Sequence, residues 1–565
     1  MDEKEIKETE LWVLYNKCAD FARKINLYDD VDKNNRFYNG DQWDGLKIEG
    51  VEPVQYNFIK PIVNYKVSKI TKNLRAINYS AENVENSEFR AQAKKICDLL
   101  NQRAARVYEN DQMDIKGKKI IRQAAINGES IIYVTYDEEA NDPKNEILNM
   151  VDVYYGNENE SDIQNQPFIL AKKRMTVSEA QKLAKTYGKS EKDIEQIIGD
   201  EDTTEEAGDS SKNELDGKVT VVTKFYKDKG TIKFSTGTKY LDFCENEDMK
   251  ISLYPFAHML WNDKEGSARG EGEVRTLIPN QIETNKTAMR RILTAKNTAY
   301  PQKVYNKDLV ANPEAINTVG GVIEVEGQTV DDVRKAFTTT TPAQMSPDVE
   351  KLQIELVEKT RELANASETA TGQVNPEDAS GRAILAVQQA SEQPLDDQNV
   401  AYNTMLEDLS KIWLEMWKAY NIEGMQLEDV IKNPMTGEEV VQIVNVPSTA
   451  LEQLKALVKI DITPKGAFDK YAQELSLQNL AMNQNFMNTS WLEDYVSLLD
   501  NDAVMPKLKI EELIKRRKEQ EKQIQAIQQR GQILQQQVQQ LMSTGQILPR
   551  EMQQYGNMMQ EEPMV

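Results

Sequence analysis

PNQIETNKTAMRRILTAK, residues 279–296, reads as a helix with Pro279 at a permissible first position. A second helical stretch lies at 347–366, and a small mixed unit fills 298–345 between them. Within that unit Val322-Ile323-Glu324-Val325 reads as a strand and 329–336 as a short helix. Two helices bracketing a small α/β insertion make a helical hairpin with a protruding tip. Charge on the hairpin is segregated. The first helix carries Lys286, Arg290, Arg291 and Lys296 against a single acid, Glu283. Residues 347–383 hold eight acidic and four basic residues, Glu355, Glu358 and Glu362 among the acids. Such segregation suits pairing between copies of the chain; two solvated faces are the plain alternative.

Working outward, residues 1–28 read as an amphipathic helix with Leu11, Leu14, Cys18, Phe21 and Ile25 on one stripe. FYNGDQW (37–43) is a turn-rich aromatic cluster, and NFIKPIVN (57–64) is punctuated by Pro61. Helices are expected over 85–113, 115–127 and within 176–198, and a β-branched strand over Ile131–Tyr136. Residues 199–217 carry eight acids and one lysine with almost nothing to bury, which makes a loop or disordered insert. Lys218–Lys227 and Thr231–Phe234 flank Asp228-Lys229-Gly230, a hairpin sequence. Residues 368–381 are loop-like, rich in Thr, Ser, Gly, Asn and Ala. A long helix follows from about 382 to 420, kinked near Pro394, with Met405, Leu409, Ile412, Trp413, Met416 and Tyr420 on one stripe. Strands are expected at 439–446 and 458–462, and helices again from 467. From Ile510, the positions Leu513, Ile524, Ile527, Leu534, Val538 and Leu541 keep heptad steps, with Arg517, Gln520 and Gly531 in the gaps. So narrow a seam needs partner helices and argues for self-association.

With 565 residues, the chain has room for several domains, yet hydrophobic residues are only 39% and charged residues 28%. Mean hydropathy is −0.64, which fits an assembly subunit with much wetted surface. The fold class expected is α+β, mainly helical. No apolar run approaches the ~20 residues of a membrane span, and the acidic opening MDEKEIKETE does not read as a signal peptide. These features point to a cytosolic protein or one assembled in a cytosol. Cys18, Cys97 and Cys244 are distant and odd in number, hence plain buried residues rather than a disulfide framework. Net charge is −23, the reverse of what a protein gripping DNA phosphates presents.

Signals for chemistry are absent. The one histidine, His258, sits in the apolar run YPFAHMLW (254–261) and reads as a core residue; no G-x-S-x-G elbow accompanies it. AKTYGKS, ending at Ser190, lacks the first glycine of a P-loop, and Gly270-Glu271-Gly272-Glu273 does not extend to a dinucleotide fingerprint. DQWDG (41–45) has the wrong spacing for a calcium loop. No cofactor, metal or catalytic residue is expected, and the chain does not read as an enzyme. A metal-dependent nuclease is an alternative because carboxylates abound. A scaffolding or adaptor protein is another, suggested by the heptad tail.

Several strings in order resemble the portal proteins of tailed bacteriophages. FYNGDQW followed by NFIKPIVN is similar to the family's N-terminal wing. YPFAHMLW and then GSARGEGEVRTLIPNQIETNK (266–286) resemble the approach to its stem, a Gly-rich turn before a helix with Pro279, Gln281 and Asn285. NPEDASGRAI (375–384) resembles the passage from tunnel loop to wing helix, and IDITPKGAFDKYAQ, from Ile460, the return before the crown. The resemblance implies a portal fold with wing, stem, clip and crown regions forming a dodecameric ring around a channel. On this chain it implies wing at 1–268, stem helices at 269–297 and 346–367 around a clip at 298–345, and a tunnel loop at 368–381. The wing then resumes over 382–470, and a crown with the heptad helix occupies 471–565. It further implies a virion protein at one capsid vertex, assembled in the host cytoplasm, through which double-stranded DNA passes without sequence readout in packaging and ejection. Implied partners are the terminase large subunit, the head-tail adaptor and the major capsid and scaffolding proteins. Thr369, Thr371, Gln373 and Asn375 become the candidate DNA-facing loop residues. Arg382 is the candidate electrostatic contact, or the partner of a neighbouring subunit's acid.

Overall fold

The computed structural model describes residues 7–43, 52–81, 87–200, 217–299, 302–318, 320–327, 329–340, 345–366, 393–432, 439–454 and 456–463. All of them belong to one compact unit, Met1–Thr463. The tunnel-loop residues Thr369, Thr371, Gln373, Asn375 and Arg382, the heptad seam from Ile510 and most of the acidic insert lie outside the described residues.

The first expected helix is two helices. α1 (Glu10–Lys24) starts where Thr9 Oγ1 accepts from the Trp12 amide, and α2 (Leu27–Asn39) follows a break at Asn26, whose φ is 57°. Packing also shifts the stripe: α1 buries Leu11, Trp12, Tyr15, Ala19 and Ala22, and leaves Phe21 and Ile25 more than 40% exposed. Hydrophobicity at 3.6 spacing offered two adjacent stripes, and the one holding Trp12 and Tyr15 packs on Tyr154. Gly40, at φ 100°, ends α2 inside the FYNGDQW cluster. Pro61 lies in the first turn of α3 (Ile59–Ile70), where a missing N–H costs nothing.

β1 (Leu74–Ser80), α4 (Ser87–Asn110) and α5 (Met113–Asn127) lead into a three-stranded antiparallel sheet. Its centre is β2 (Glu129–Asp137), flanked by β3 (Asp142–Leu148) and later by β9 (Phe256–Leu260). A five-stranded meander contains β4 (Val153–Tyr155), β5 (Phe168–Thr176), β6 (Lys218–Asp228), β7 (Thr231–Gly237) and β8 (Asp242–Asp248) in that order. Lys229 and Gly230, at φ 53° and 91°, make the β6–β7 turn as the sequence predicts. The short helices α6 (Val177–Thr186) and α7 (Glu191–Ile194) sit between β5 and β6, with Ala180 and Ala184 packed near Val219, Val221 and Phe243.

α8 spans Glu273–Ala299, six residues more at its start than the sequence reading allows. Pro279 is therefore inside the helix. Both Pro279 and Arg275, four residues before it, are exposed, so water can take the carbonyl that Pro279 cannot bond. The extra turns form because Val274, Leu277 and Ile278 are buried. Beyond α8 the tip unit has β10 (Lys303–Tyr305), α9 (Val330–Ala336) and β11 (Phe337–Thr339), with β10 and β11 paired antiparallel. The strand expected at Val322–Val325 is not formed: only a single bridge joins Val325 to Val310. Among the described residues of the unit, only Val310, Ile316 and Ala336 are buried apolar residues, too small a core for a further strand to lie on.

α10 (Pro347–Leu363) returns alongside α8. Pro394 stands in a 3-10 turn, and α11 (Asp396–Tyr420) begins immediately after it. Whether a kink joins it to residues before 393 falls outside the described residues. Met405, Leu409, Ile412, Trp413 and Met416 are fully buried, while Tyr420 at the end of the stripe is 38% exposed and stacks on Tyr136. β12 (Met425–Lys432) pairs with β13 (Glu439–Val446). The short α12 (Ser448–Gln453) leads into β14 (Leu457–Thr463), which returns across the whole chain to pair antiparallel with β1.

Candidate functional site: the hairpin and its anchor

The α8–α10 hairpin is built on a polar anchor that joins the two motifs nearest it. Gln281 is fully buried: its Oε1 accepts from the Phe58 amide at 3.1 Å, and its Nε2 donates to the Tyr56 carbonyl at 2.8 Å. One turn on, Asn285 Oδ1 accepts from the Tyr56 amide at 3.2 Å, and Nδ2 donates to Gln42 Oε1 at 2.6 Å. Gln42 Nε2 in turn donates to the Phe37 carbonyl at 2.9 Å. Thus QIETN reads the backbone of the segment before α3, and the Gln of FYNGDQW closes the network. A strand or helix would have satisfied those backbone groups itself; an irregular segment needs side chains. Gln281→Leu is expected to lower stability by about 1–3 kcal/mol, since two backbone groups lose their partners. Urea unfolding measures the loss, and amide exchange at 54–58 should rise locally; no rise at Phe58 would refute the assignment.

Below the anchor, three glycines let two backbones touch. A Cβ on Gly128 (φ 109°) would lie 2.4 Å from the Gly270 carbonyl oxygen, and one on Gly272 would lie 2.5 Å from that of Ile126. This explains Gly270-Glu271-Gly272: close approach of chain to chain, not phosphate binding. Beside the crossing lies a buried ionic cluster. Arg269 Nη1 donates to Glu129 Oε1 at 2.6 Å, Nε donates to Glu158 Oε2 at 3.0 Å, and Nη2 donates to the Val153 carbonyl at 2.9 Å. Its guanidinium also lies over the Tyr155 ring, 4.9 Å from the centroid. Burial works against the charge on Arg269, but Glu129 and Glu158 outweigh it and hold the pKa above its ordinary value. Burial, with Glu129 adding to it, pushes the Tyr155 phenol well up. His258 Nε2 is 3.2 Å from the other Glu129 oxygen, so the lone histidine is a core residue, as expected, with a carboxylate neighbour. At the start of α8, Glu273 meets Lys66 Nζ at 2.7 Å and accepts from Trp261 Nε1 at 3.2 Å. Sequence reading missed this cluster because its members lie up to 140 residues apart.

On the hairpin itself, the predicted charges divide. Arg291 is used within the chain, donating to Glu350 Oε1 at 2.7 Å and Gln353 Oε1 at 2.8 Å on α10. Lys286 pairs with Glu283 at 3.1 Å, Glu362 with Lys359 at 2.7 Å, and Glu355 lies 4.0 Å from Lys351, all along their own helices. Arg290 and Glu358 are exposed and have no ion pair among the described residues. α10 buries only Thr360, to which Asn280 donates at 2.9 Å, and leaves Leu352, Ile354 and Leu363 at least half exposed.

The hairpin thus has an elaborate internal anchor and an outer surface with apolar groups in water. No group of three or more His, Cys, Asp or Glu side chains that could hold a metal occurs among the described residues, and no helix there is long and apolar enough to cross a membrane. The cysteines are free, with Cys97 buried but Cys18 and Cys244 only partly so. A family profile described as phage P22-like portal protein matches residues 19–250 and 233–560, and the chain belongs to that family. No curated protein matches it. Membership makes it a structural virion protein of a phage capsid, a ring-forming subunit that works with capsid and packaging machinery.

Proposed function

We propose that twelve copies form the portal ring at one capsid vertex, a conduit for double-stranded DNA in packaging and ejection. The terminase large subunit and then the head-tail adaptor dock on the clip, residues 298–345. The observation that carries this reading is on α10. At 3.6 residues per turn, Leu352 and Leu363 lie on one flank and Ile354 on another, about 160–180° away. A two-fold dimer needs one self-complementary patch; a ring needs two different ones on each copy, and opposed apolar flanks supply them. Between the flanks, Glu355, Glu358 and Glu362 are exposed and face outward for the exposed Lys286 and Arg290 of the next copy. Arg291, engaged within the hairpin, contributes to the shape of that surface more than to its charge.

The test is mass and image together. Purified protein should run far above the 64.5 kDa of one chain and show rings with an axial hole in negative stain. Arg290→Glu should shift assembly to higher protein concentration, and adding Glu358→Arg should recover part of the loss. Each such exposed pair is worth only about 0.2–1 kcal/mol, but a closed ring repeats it at every interface. A monomer that persists across concentration and salt would sink the proposal.

A further inference from the structure

A cleft of about 440 Å³ lies between α2 and α5, and its charge runs against that of a chain at −23. It is lined by three cations, Arg36, Lys119 and Arg122, and one carboxylate, Asp32. That carboxylate is spoken for, since Arg36 lies 3.6 Å from it and also pairs with Asp41 at 3.0 Å. Lys119 and Arg122 form no ion pair or hydrogen bond among the described residues. Of these lining residues, Arg122 Nε and Asn127 Oδ1 are enclosed by the protein without a partner. A guanidinium N–H held away from water without an acceptor loses its hydration for nothing. The cleft itself is met by the remainder of the Arg122 guanidinium and by Lys119, two cations with no counter-ion among the described residues.

We propose that this cleft binds an oxyanion. Arg122 supplies charge-assisted hydrogen bonds through its terminal guanidinium nitrogens, Lys119 supplies a second charge at the rim, and Asn127 supplies a neutral donor, Nδ2. Val31, Ile126 and Met150 form the apolar part of the wall, where a hydrogen bond to an anion meets less competition from water. The same chemistry is offered by free inorganic phosphate and by an Asp or Glu carboxylate of a neighbouring copy. The cleft suits either, and the two are separable.

Inorganic phosphate is titrated into the full-length protein at ionic strength held constant with chloride, following the unfolding temperature and the heat of binding. Arg122→Gln and Lys119→Gln are carried in parallel, so that one remains informative if the other misfolds. A saturable rise in unfolding temperature, with affinity about tenfold or more weaker in the variants, identifies a free anion as the ligand. No response to phosphate, with both variants needing about tenfold more protein to assemble, identifies a neighbour's carboxylate. No response with assembly unchanged, or an equal response in the variants, overturns the proposal. Because the phosphate result does not require a ring, the proposal and the portal reading can fail separately.

Discussion

Arg269→Met should lower the free energy of unfolding by about 3–5 kcal/mol, the cost of removing one partner from a buried charge pair. The substitution keeps most of the side-chain volume, so a cavity is not the cause. What it leaves behind is Glu129, wholly buried, with no cation fixed beside it and only the neutral Tyr155 hydroxyl and His258 in reach among the described residues. The carbonyls of Met150 and Val153 lose their donor in the same step. Urea unfolding with the slope unchanged would report the loss. The double variant Arg269→Met, Glu129→Leu separates charge from packing. Removing both charges should recover most of the loss, because an apolar pair avoids desolvation altogether. If the double variant is no more stable than the single one, Arg269 acts through its backbone contacts and the ionic account is wrong. The position matters for function because Arg269 stands one residue before the Gly270–Gly272 crossing from which α8 rises.

The fold was legible where local pattern decides. The Lys229-Gly230 turn, the α11 stripe through Trp413, and the strands near 439–446 and 458–462 all follow from spacing and turn chemistry. It failed where tertiary partners choose between local options. Pro279 looked like a first position, yet buried Val274, Leu277 and Ile278 extend the helix past it. Of the stripe Leu11, Leu14, Cys18, Phe21 and Ile25, the first three pack on the core fully or in part, but Phe21 and Ile25 are exposed because the neighbouring stripe with Trp12 and Tyr15 found a partner in Tyr154. Val322–Val325 has β-branched composition but no sheet to join. The β1–β14 pairing and the Glu129–Arg269 pair could not be read at all, because nothing local specifies a partner some 380 or 140 residues away. Of the candidate site, QIETN was singled out for its resemblance to a family; its physical role, bonding backbone near 56–58, is visible only in the fold.

Deleting residues 370–378 should leave ring assembly intact and abolish stable DNA filling of capsids. The expectation rests on sequence, since these residues lie outside those described. ATGQVNPED buries little in any conformation, so removing it takes away few contacts that could hold copies together. In the proposed ring, assembly instead draws on the α10 flanks and the exposed charges of α8, and the loop is proposed to retain the DNA. At −23 per copy a twelve-fold ring carries about −280, and phosphates are repelled beyond a screening length of about 8 Å at physiological salt. On the proposed reading, DNA in the channel is therefore held by contacts at short range, and Thr371, Gln373 and Asn375 are short polar groups that can make and break phosphate hydrogen bonds cheaply. Thr369 and Arg382 flank the deletion; Arg382→Ala should weaken retention less than the deletion does, since one cation per copy is a minor part of the field. Capsids are assayed for nuclease-protected DNA after packaging, beside the mass of the purified rings. Normal filling by deleted rings would withdraw the loop from the channel. Loss of the rings themselves would place an assembly contact in 370–378 and none of the DNA contacts proposed for it.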